Sequence, residues 1–205
     1  MPRKTRKRRS GEKFDSYVEH PRYGNRPNLT GLNPIPDTSA EVFLRWLSPE
    51  ETRIPNTAIP ADLSRQSPAT VPVTHYFDVG RKCRDCGRPF IFFAEEQKYW
   101  YEVLGFPLES DCVRCFQCRK FQQGVALKRD RYEELFRVAE RTADENLEMA
   151  ECCLSLIEAS VFTTKQMQRI RMLLNASEPH LTFANKAIFE ELRARLGALE
   201  AGPES

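Results

Sequence analysis

The sequence lacks the features of a membrane protein or a secreted protein. No apolar run in its 205 residues approaches the ~18 residues that a membrane-spanning helix needs. No charged start followed by an apolar stretch marks a secretory signal, so we expect a reducing, cytoplasmic environment. In that environment the seven cysteines are expected to bind metal rather than to form disulfides.

The sequence also lacks the motifs of common enzyme classes. It contains no recognisable pair of nucleophile and base, no glycine loop that would cradle a phosphate and no carboxylate cluster on a readable scaffold. The H-x-E and P-C-x-x-C motifs of zinc deaminases are absent too. We therefore predict a protein that is not an enzyme and has no small-molecule substrate.

Basic charge is concentrated at the N-terminus, although the formal net charge of the chain is only +2. Residues 1–26 contain nine Lys/Arg against three Asp/Glu, whereas residues 122–205 contain eleven against fourteen. The opening MPRKTRKRRSGEK has no apolar residue after Met1, so it cannot bury surface to offset its ordering entropy. We expect residues 1–26 to form a disordered basic tail.

Proline dominates the next region, residues 27–74. Nine of the fourteen prolines lie between residues 21 and 72, where they remove backbone donors and favour extended backbone. One short helix is predicted around Ala40–Leu47, where Val42, Phe43 and Trp46 recur at helical spacing. The region is otherwise expected to be an extended arm.

Residues 122–205 have the pattern of an α-helical region. In the first predicted helix the apolar residues recur every three or four positions, and they are Leu147, Ala150, Leu154, Ile157 and Val161. A second helix is predicted to begin at a cap on Thr163 or Thr164, and a third to run from about Phe183 to Leu199. Such helices could bury one another as a small bundle.

Residues 75–121 contain the most informative pattern, a set of spaced cysteines. Cys83 and Cys86 form a C-x2-C turn followed by Gly87, and three more follow at three-residue intervals: Cys112, Cys115 and Cys118. Zinc takes four thiolates in a tetrahedron, and each C-x2-C turn supplies one edge of it. The spacing alone leaves open whether Cys112 pairs with Cys115 or Cys115 with Cys118.

Other uses of these cysteines are less well supported. A catalytic zinc keeps an open position, usually beside histidine or carboxylate ligands, and His75 could enter the shell only by replacing a cysteine. A redox pair at Cys83 and Cys86 would need the strand and helix context of thioredoxin-like proteins, which the sequence does not show. The pattern therefore favours a structural zinc site.

Several short motifs together resemble the probable zinc-ribbon domain of uncharacterised bacterial proteins. They are CRDCG, the aromatic PFIFF, the EEQ-x-x-x-Y helix, LGF and the closing VRCFQCRK, over about 45 residues. The resemblance implies a small α+β fold of one short β-hairpin and one helix, with zinc on Cys83, Cys86, Cys115 and Cys118. Cys112 departs from the family pattern and stays open as an alternative ligand. The resemblance also implies a bacterial origin, but it fixes no biochemical activity.

The predicted function rests on the residues around the cysteine turns. Basic side chains flank both turns among interleaved aromatics, which is typical of surfaces that bind a phosphate backbone and unstacked bases. They are Arg81, Lys82, Arg84, Arg88, Arg114, Arg119 and Lys120. We predict binding to nucleic acid, either RNA, DNA or the ribosome. The alternative is a protein-interaction adaptor that binds a partner protein or a second copy through the C-terminal helices.

Overall fold

The structure is a computed structural model that describes residues 14–36, 42–69 and 71–201. It divides into two compact units, an N-terminal unit that ends at Arg119 and a C-terminal unit that begins at Lys120. Among the described residues no helix is both long and apolar enough to cross a membrane. The fold class is the predicted one, a small α+β protein with short antiparallel hairpins and a separate helical region.

The N-terminal unit is built from very short elements. Strands β1 (Ile59–Pro60) and β2 (His75–Tyr76) pair antiparallel, and so do β3 (Val79–Lys82) and β4 (Pro89–Phe92). Helix α1 (Ala94–Lys98) follows β4 and continues through one π-helical turn at Tyr99–Val103. Gly105 then ends the helix at φ +68°, a left-handed conformation that glycine adopts without strain.

Two apolar clusters form the core of this unit. The first packs the β3–β4 hairpin against the cysteines, and the second packs α1 and its π-helical turn against β2. The buried members of the first are Val18, Val79, Cys83, Phe90, Phe92, Cys112 and Cys115. Those of the second are Val73, Tyr76, Ala94, Tyr101 and Leu108. Trp100 packs against both clusters, so the hairpin and the helix share one aromatic side chain.

Residues 14–26 differ from the disordered tail that the sequence predicted. Val18 is 5% exposed, and its N–H donates to the carbonyl oxygen of Pro89 at 2.8 Å. A single valine thus adds a bridge to the edge of β4, a long-range contact that composition does not reveal. The most basic part of the predicted tail, residues 1–13, lies outside the described residues.

The short helix predicted around Ala40–Leu47 does not form over its described part, residues 42–47. The backbone of Phe43 instead bonds to Thr74, as donor to its Oγ1 at 2.9 Å and as acceptor from its N–H at 2.8 Å. Leu44 forms a parallel bridge with His75. Pairing with a distant strand therefore overrides the local helical pattern.

A buried carboxylate joins the N-terminal segment to α1. Asp78 is 1% exposed, and it accepts the N–H of Ala94 at 2.7 Å and the N–H of Asn28 at 2.8 Å. Burial raises the pKa of Asp78 to about 6, although these two N–H donors oppose the shift. Asp78 therefore holds the start of α1 and the extended segment through polar contacts rather than apolar burial.

The C-terminal unit consists of long helices around an apolar core. Most of α2 (Phe116–Phe136) belongs to this unit, and α3 (Ala143–Glu158), α4 (Met167–Ser177) and α5 (Phe183–Ala201) follow it. The predicted apolar stripe is buried at Leu147, Ala150, Leu154 and Ile157. Val161 is the exception, because α3 ends three residues before it and its side chain is 42% exposed.

The N-terminal ends of the helices in this unit are capped in different ways. Thr142 and Glu145 form a reciprocal capping box at the start of α3, with each side chain accepting the other residue's N–H. Thr163 precedes a short 3-10 turn that leads into α4, and its side chain makes no capping bond. The predicted cap at Thr163 or Thr164 is therefore not formed.

Candidate metal centre

The β3–β4 hairpin positions the first cysteine pair. Cys83 directly follows β3, and the chain turns through Cys86 and Gly87 before β4 begins. Gly87 adopts φ +70° and its N–H donates to the carbonyl oxygen of Cys83 at 3.0 Å. A side chain would be strained in that conformation, so glycine allows the turn to close with both sulfurs on one side.

The second pair lies at the start of a helix. Cys115 immediately precedes α2, and Cys118 lies in its first turn. The N–H of Arg119 donates to the carbonyl oxygen of Cys115 at 3.0 Å, and the N–H of Arg84 donates to that of Val113 at 2.9 Å. The second bond ties the approach to Cys115 directly to the first cysteine turn.

The four sulfurs converge on one point. The Sγ atoms of Cys83, Cys86, Cys115 and Cys118 all lie within 4.8 Å of one another, and those of Cys86 and Cys115 are 3.9 Å apart. A tetrahedral site with Zn–S bonds of ~2.3 Å requires S–S separations of about 3.8 Å. The donor set and its spacing therefore fit Zn²⁺.

The electrostatics of the site also suit a cation. Burial raises the pKa of the Cys83 thiol, but the N–H groups of Cys86, Cys115 and Asp85 outweigh that effect and bring it to about 6. Burial and the neighbouring thiols raise the pKa of Cys118 to about 12. Crowded thiols cannot all ionise without a counter-charge, and a divalent cation supplies it.

Two further features, the Arg88 side chain and the dipole of α2, favour ionised sulfur at this site. The backbone N–H and the guanidinium of Arg88 both bond to the Cys86 thiol and lower its pKa. Cys115 and Cys118 lie at the positive, N-terminal end of the α2 dipole, which favours thiolates. Burial nevertheless raises the pKa of both Cys115 and Cys118, so without a metal only the first pair is stabilised as thiolates by its surroundings.

Cys112 lies outside the sulfur cluster formed by the described residues. It is 1% exposed, and its thiol donates to the carbonyl oxygen of Arg114 at 3.4 Å. Burial raises its pKa to about 12, as expected for a thiol that fills core space. His75 is likewise absent from the cluster, and its Nδ1 lies 3.1 Å from Thr74 Oγ1.

The predicted basic surface separates into two groups. Lys82, Arg84 and Arg88 are exposed around the first cysteine turn, and Lys120 is exposed on α2. The other three bind carboxylates: Arg81 pairs with Asp111, Arg114 with Asp85 and Arg119 with Glu96. The charge of these three is thus partly neutralised within the protein.

Comparison with known families supports the metal site. Residues 77–125 match the family described as "Probable treble clef domain". No curated protein and no solved structure matches the chain. The matched region includes the hairpin, α1 and the start of α2, and so contains all four clustered cysteines. The match and the cluster confirm a zinc-binding, zinc-ribbon-like domain with Zn²⁺ as its cofactor.

The arrangement has the chemistry of a structural site. Four thiolates leave no open position for water or substrate, in contrast to the open shell of catalytic zinc. When bound, Zn²⁺ supplies a cross-link between the hairpin and the start of α2. The helix start, rather than a second free-standing turn, provides the second pair of ligands.

Proposed function

We propose that this zinc-binding module acts as a non-enzymatic nucleic-acid-binding protein. The observation that supports it most directly is the cationic edge of the first cysteine turn. Lys82, Arg84 and Arg88 are all exposed there, within seven residues of chain. We call these three residues the basic turn.

The metal centre makes the basic turn suitable for phosphate binding. Cys83 and Cys86 fix the backbone between the basic side chains. Less conformational entropy is therefore lost when these basic side chains contact a ligand. The excess of Lys/Arg in residues 1–26 adds a second source of sequence-independent attraction. We expect an interaction with phosphates that depends strongly on salt and is not specific for base sequence.

The test replaces all three cations of the basic turn by glutamine. Binding of the full chain to a single-stranded RNA and to a DNA duplex is measured by fluorescence anisotropy between 50 and 200 mM salt. Each phosphate contact contributes about 0.7 to 0.9 to the slope of log K against log salt. The triple variant should therefore lower the slope by about 2 to 3 and weaken binding at every salt concentration.

A matched control removes the same charge elsewhere. Arg65, Arg137 and Arg193 are exposed and remote in sequence from the basic turn, and their triple glutamine variant should retain the wild-type slope. Zinc content is measured in both variants, so that loss of metal is not mistaken for loss of contact. Equal weakening in both triples, or no binding by the wild type at 50 mM salt, would reject the proposal.

The alternative function, a protein-interaction adaptor, has its own supporting observation. The C-terminal unit carries a mainly apolar groove between α2 and α3, lined by side chains that include Phe121, Val125 and Leu156. Phe121 is 56% exposed. Light scattering on protein with and without nuclease treatment separates the two functions. A dimer that survives nuclease favours the adaptor, whereas loss of co-purifying absorbance near 260 nm favours nucleic acid.

A further inference from the structure

Arg45 is a buried charged residue outside the family-matched region. It lies in the proline-rich segment, more than thirty residues before the matched range of 77–125, and it is 2% exposed. Burying a guanidinium is costly unless its donors find acceptors. Its bonding partners therefore indicate what this position does.

All three donor bonds of Arg45 go to one short segment that leads to the second cysteine pair. Nε donates to the carbonyl oxygen of Leu108 at 3.2 Å, Nη2 to that of Ser110 at 2.6 Å and Nη1 to Asp111 Oδ1 at 3.0 Å. The hydroxyl of Tyr101 also donates to the Ser110 carbonyl oxygen at 2.7 Å. The planar guanidinium thus fixes the path of residues 108–111.

Asp111 carries the connection on to the first cysteine pair. Its Oδ1 also accepts a bond from Arg81 Nη2 at 2.9 Å, and Arg81 lies on β3 two residues before Cys83. Arg81 Nη2 further donates to the carbonyl oxygen of Leu47 at 2.7 Å. Arg45, Asp111 and Arg81 form one network, which we call the arginine clamp.

We propose that Arg45 is a positioning residue for the metal centre. The arginine clamp holds the segment before Cys115 beside the strand that ends at Cys83, and so sets the separation of the two cysteine pairs. Because coupling between two sites is reciprocal, metal binding in turn stabilises the docking of residues 42–48. The functional zinc domain therefore includes part of the proline-rich segment.

The first test measures zinc release from Arg45 variants of the full chain. With a chromogenic chelator, Arg45→Ala should release zinc about tenfold faster or more, the usual scale for losing groups that orient metal ligands. Arg45→Lys keeps the charge but not the planar fork of donors, so it should recover only part of the loss. Arg65→Ala, at an exposed arginine of the same segment, should release zinc at the wild-type rate.

A second variant separates positioning from general stability. Val73 is 1% exposed in the apolar cluster beside α1, so Val73→Ala weakens the unit without removing a hydrogen bond of the arginine clamp. If zinc release accelerates equally in Val73→Ala and Arg45→Ala variants of equal unfolding stability, the proposal fails. The Co²⁺-loaded Arg45→Ala protein should retain four-thiolate absorption bands, because its ligands are unchanged.

The reciprocal effect is tested on the wild-type chain and does not depend on how a variant folds. Trypsin cleaves after arginine, and the Arg45–Trp46 bond is protected while the guanidinium is buried. Removal of zinc should make this bond cleavable at least tenfold faster, whereas the bond after exposed Arg65 serves as the internal reference. Unchanged protection after complete metal removal would overturn the proposed coupling.

Discussion

The two units of this protein are stabilised by different means. Strands of two to four residues and a five-residue helix make up the N-terminal unit, whereas α3, α4 and α5 contain 16, 11 and 19 residues. Short elements cannot pair most of their backbone groups internally, so side chains must complete the hydrogen bonding. Long amphipathic helices satisfy their own backbone and need only an apolar face.

The buried polar residues follow this difference. Those of the N-terminal unit are Arg45, Ser48, Thr57, Asp78, Glu96, Gln97 and Glu102, whereas those of the C-terminal unit are Asn146, Ser177 and Asn185. Gln97 is typical of the first set, since its amide donates to the carbonyl oxygens of both Phe77 and Phe92. The first unit therefore depends on specific bonds and a metal, and the second on apolar burial.

The largest predicted effect comes from removing the metal. Structural zinc sites contribute on the order of 10–16 kcal/mol to folding, which is as large as the whole stability of a typical domain. Chelation, or Cys115→Ser, should therefore unfold the N-terminal unit. Both tryptophans, Trp46 and Trp100, lie in that unit, so their emission should shift to the red while most of the helical circular dichroism signal remains.

Controls for metal removal come from the cysteines outside the cluster. Cys112→Ala should keep one zinc per chain, because its sulfur is not among the four that converge. Cys152→Ala, in the core of the C-terminal unit, should also keep it. Tryptophan emission that stays unchanged in protein shown to be metal-free would contradict the assigned role of the site.

An effect of intermediate size on stability is expected from a substitution that creates a cavity in the C-terminal unit. Leu154 on α3 is fully buried, and Leu→Ala at such positions costs about 2–5 kcal/mol. Leu154→Ala should lower the melting temperature of the helical circular dichroism signal without altering zinc content or tryptophan emission. Leu127→Ala is the matched control, since Leu127 is 70% exposed on α2 and should cost little. Release of zinc by Leu154→Ala would show that the two units are not stabilised separately.

The first cysteine turn and the long helices could be predicted from sequence because both are encoded locally. A C-x2-C pair with a following glycine constrains its own turn, and spacings of three and four residues report directly on a helix face. These features depend on residues that lie close together along the chain.

The arginine clamp, the docking of Val18 and the role of Asp78 could not be predicted. Each connects residues that are far apart in sequence, such as Arg45 with Asp111 or Asn28 with Asp78, and no local pattern marks a lone arginine between prolines as buried. The predicted helix around residues 40–47 failed for the same reason, because a distant strand supplied better hydrogen-bond partners. Non-local polar contacts decide the structure of the N-terminal unit.

The smallest expected effect on stability comes from removing a helix cap in the C-terminal unit, where apolar burial contributes most of the stability. Thr142 N–H donates to Glu145 Oε2 at 2.8 Å, and Glu145 N–H donates to Thr142 Oγ1 at 3.2 Å. Thr142→Ala leaves the N–H of Glu145 without its acceptor, so unfolding of this unit should become easier by about 1 kcal/mol. Thr163→Ala is the matched control, because Thr163 also precedes a helical turn but makes no capping bond. Urea unfolding, monitored by circular dichroism, measures the unfolding free energy of both variants. An equal loss of stability in the two would mean that the capping box contributes nothing beyond the intrinsic preference of threonine for an extended backbone.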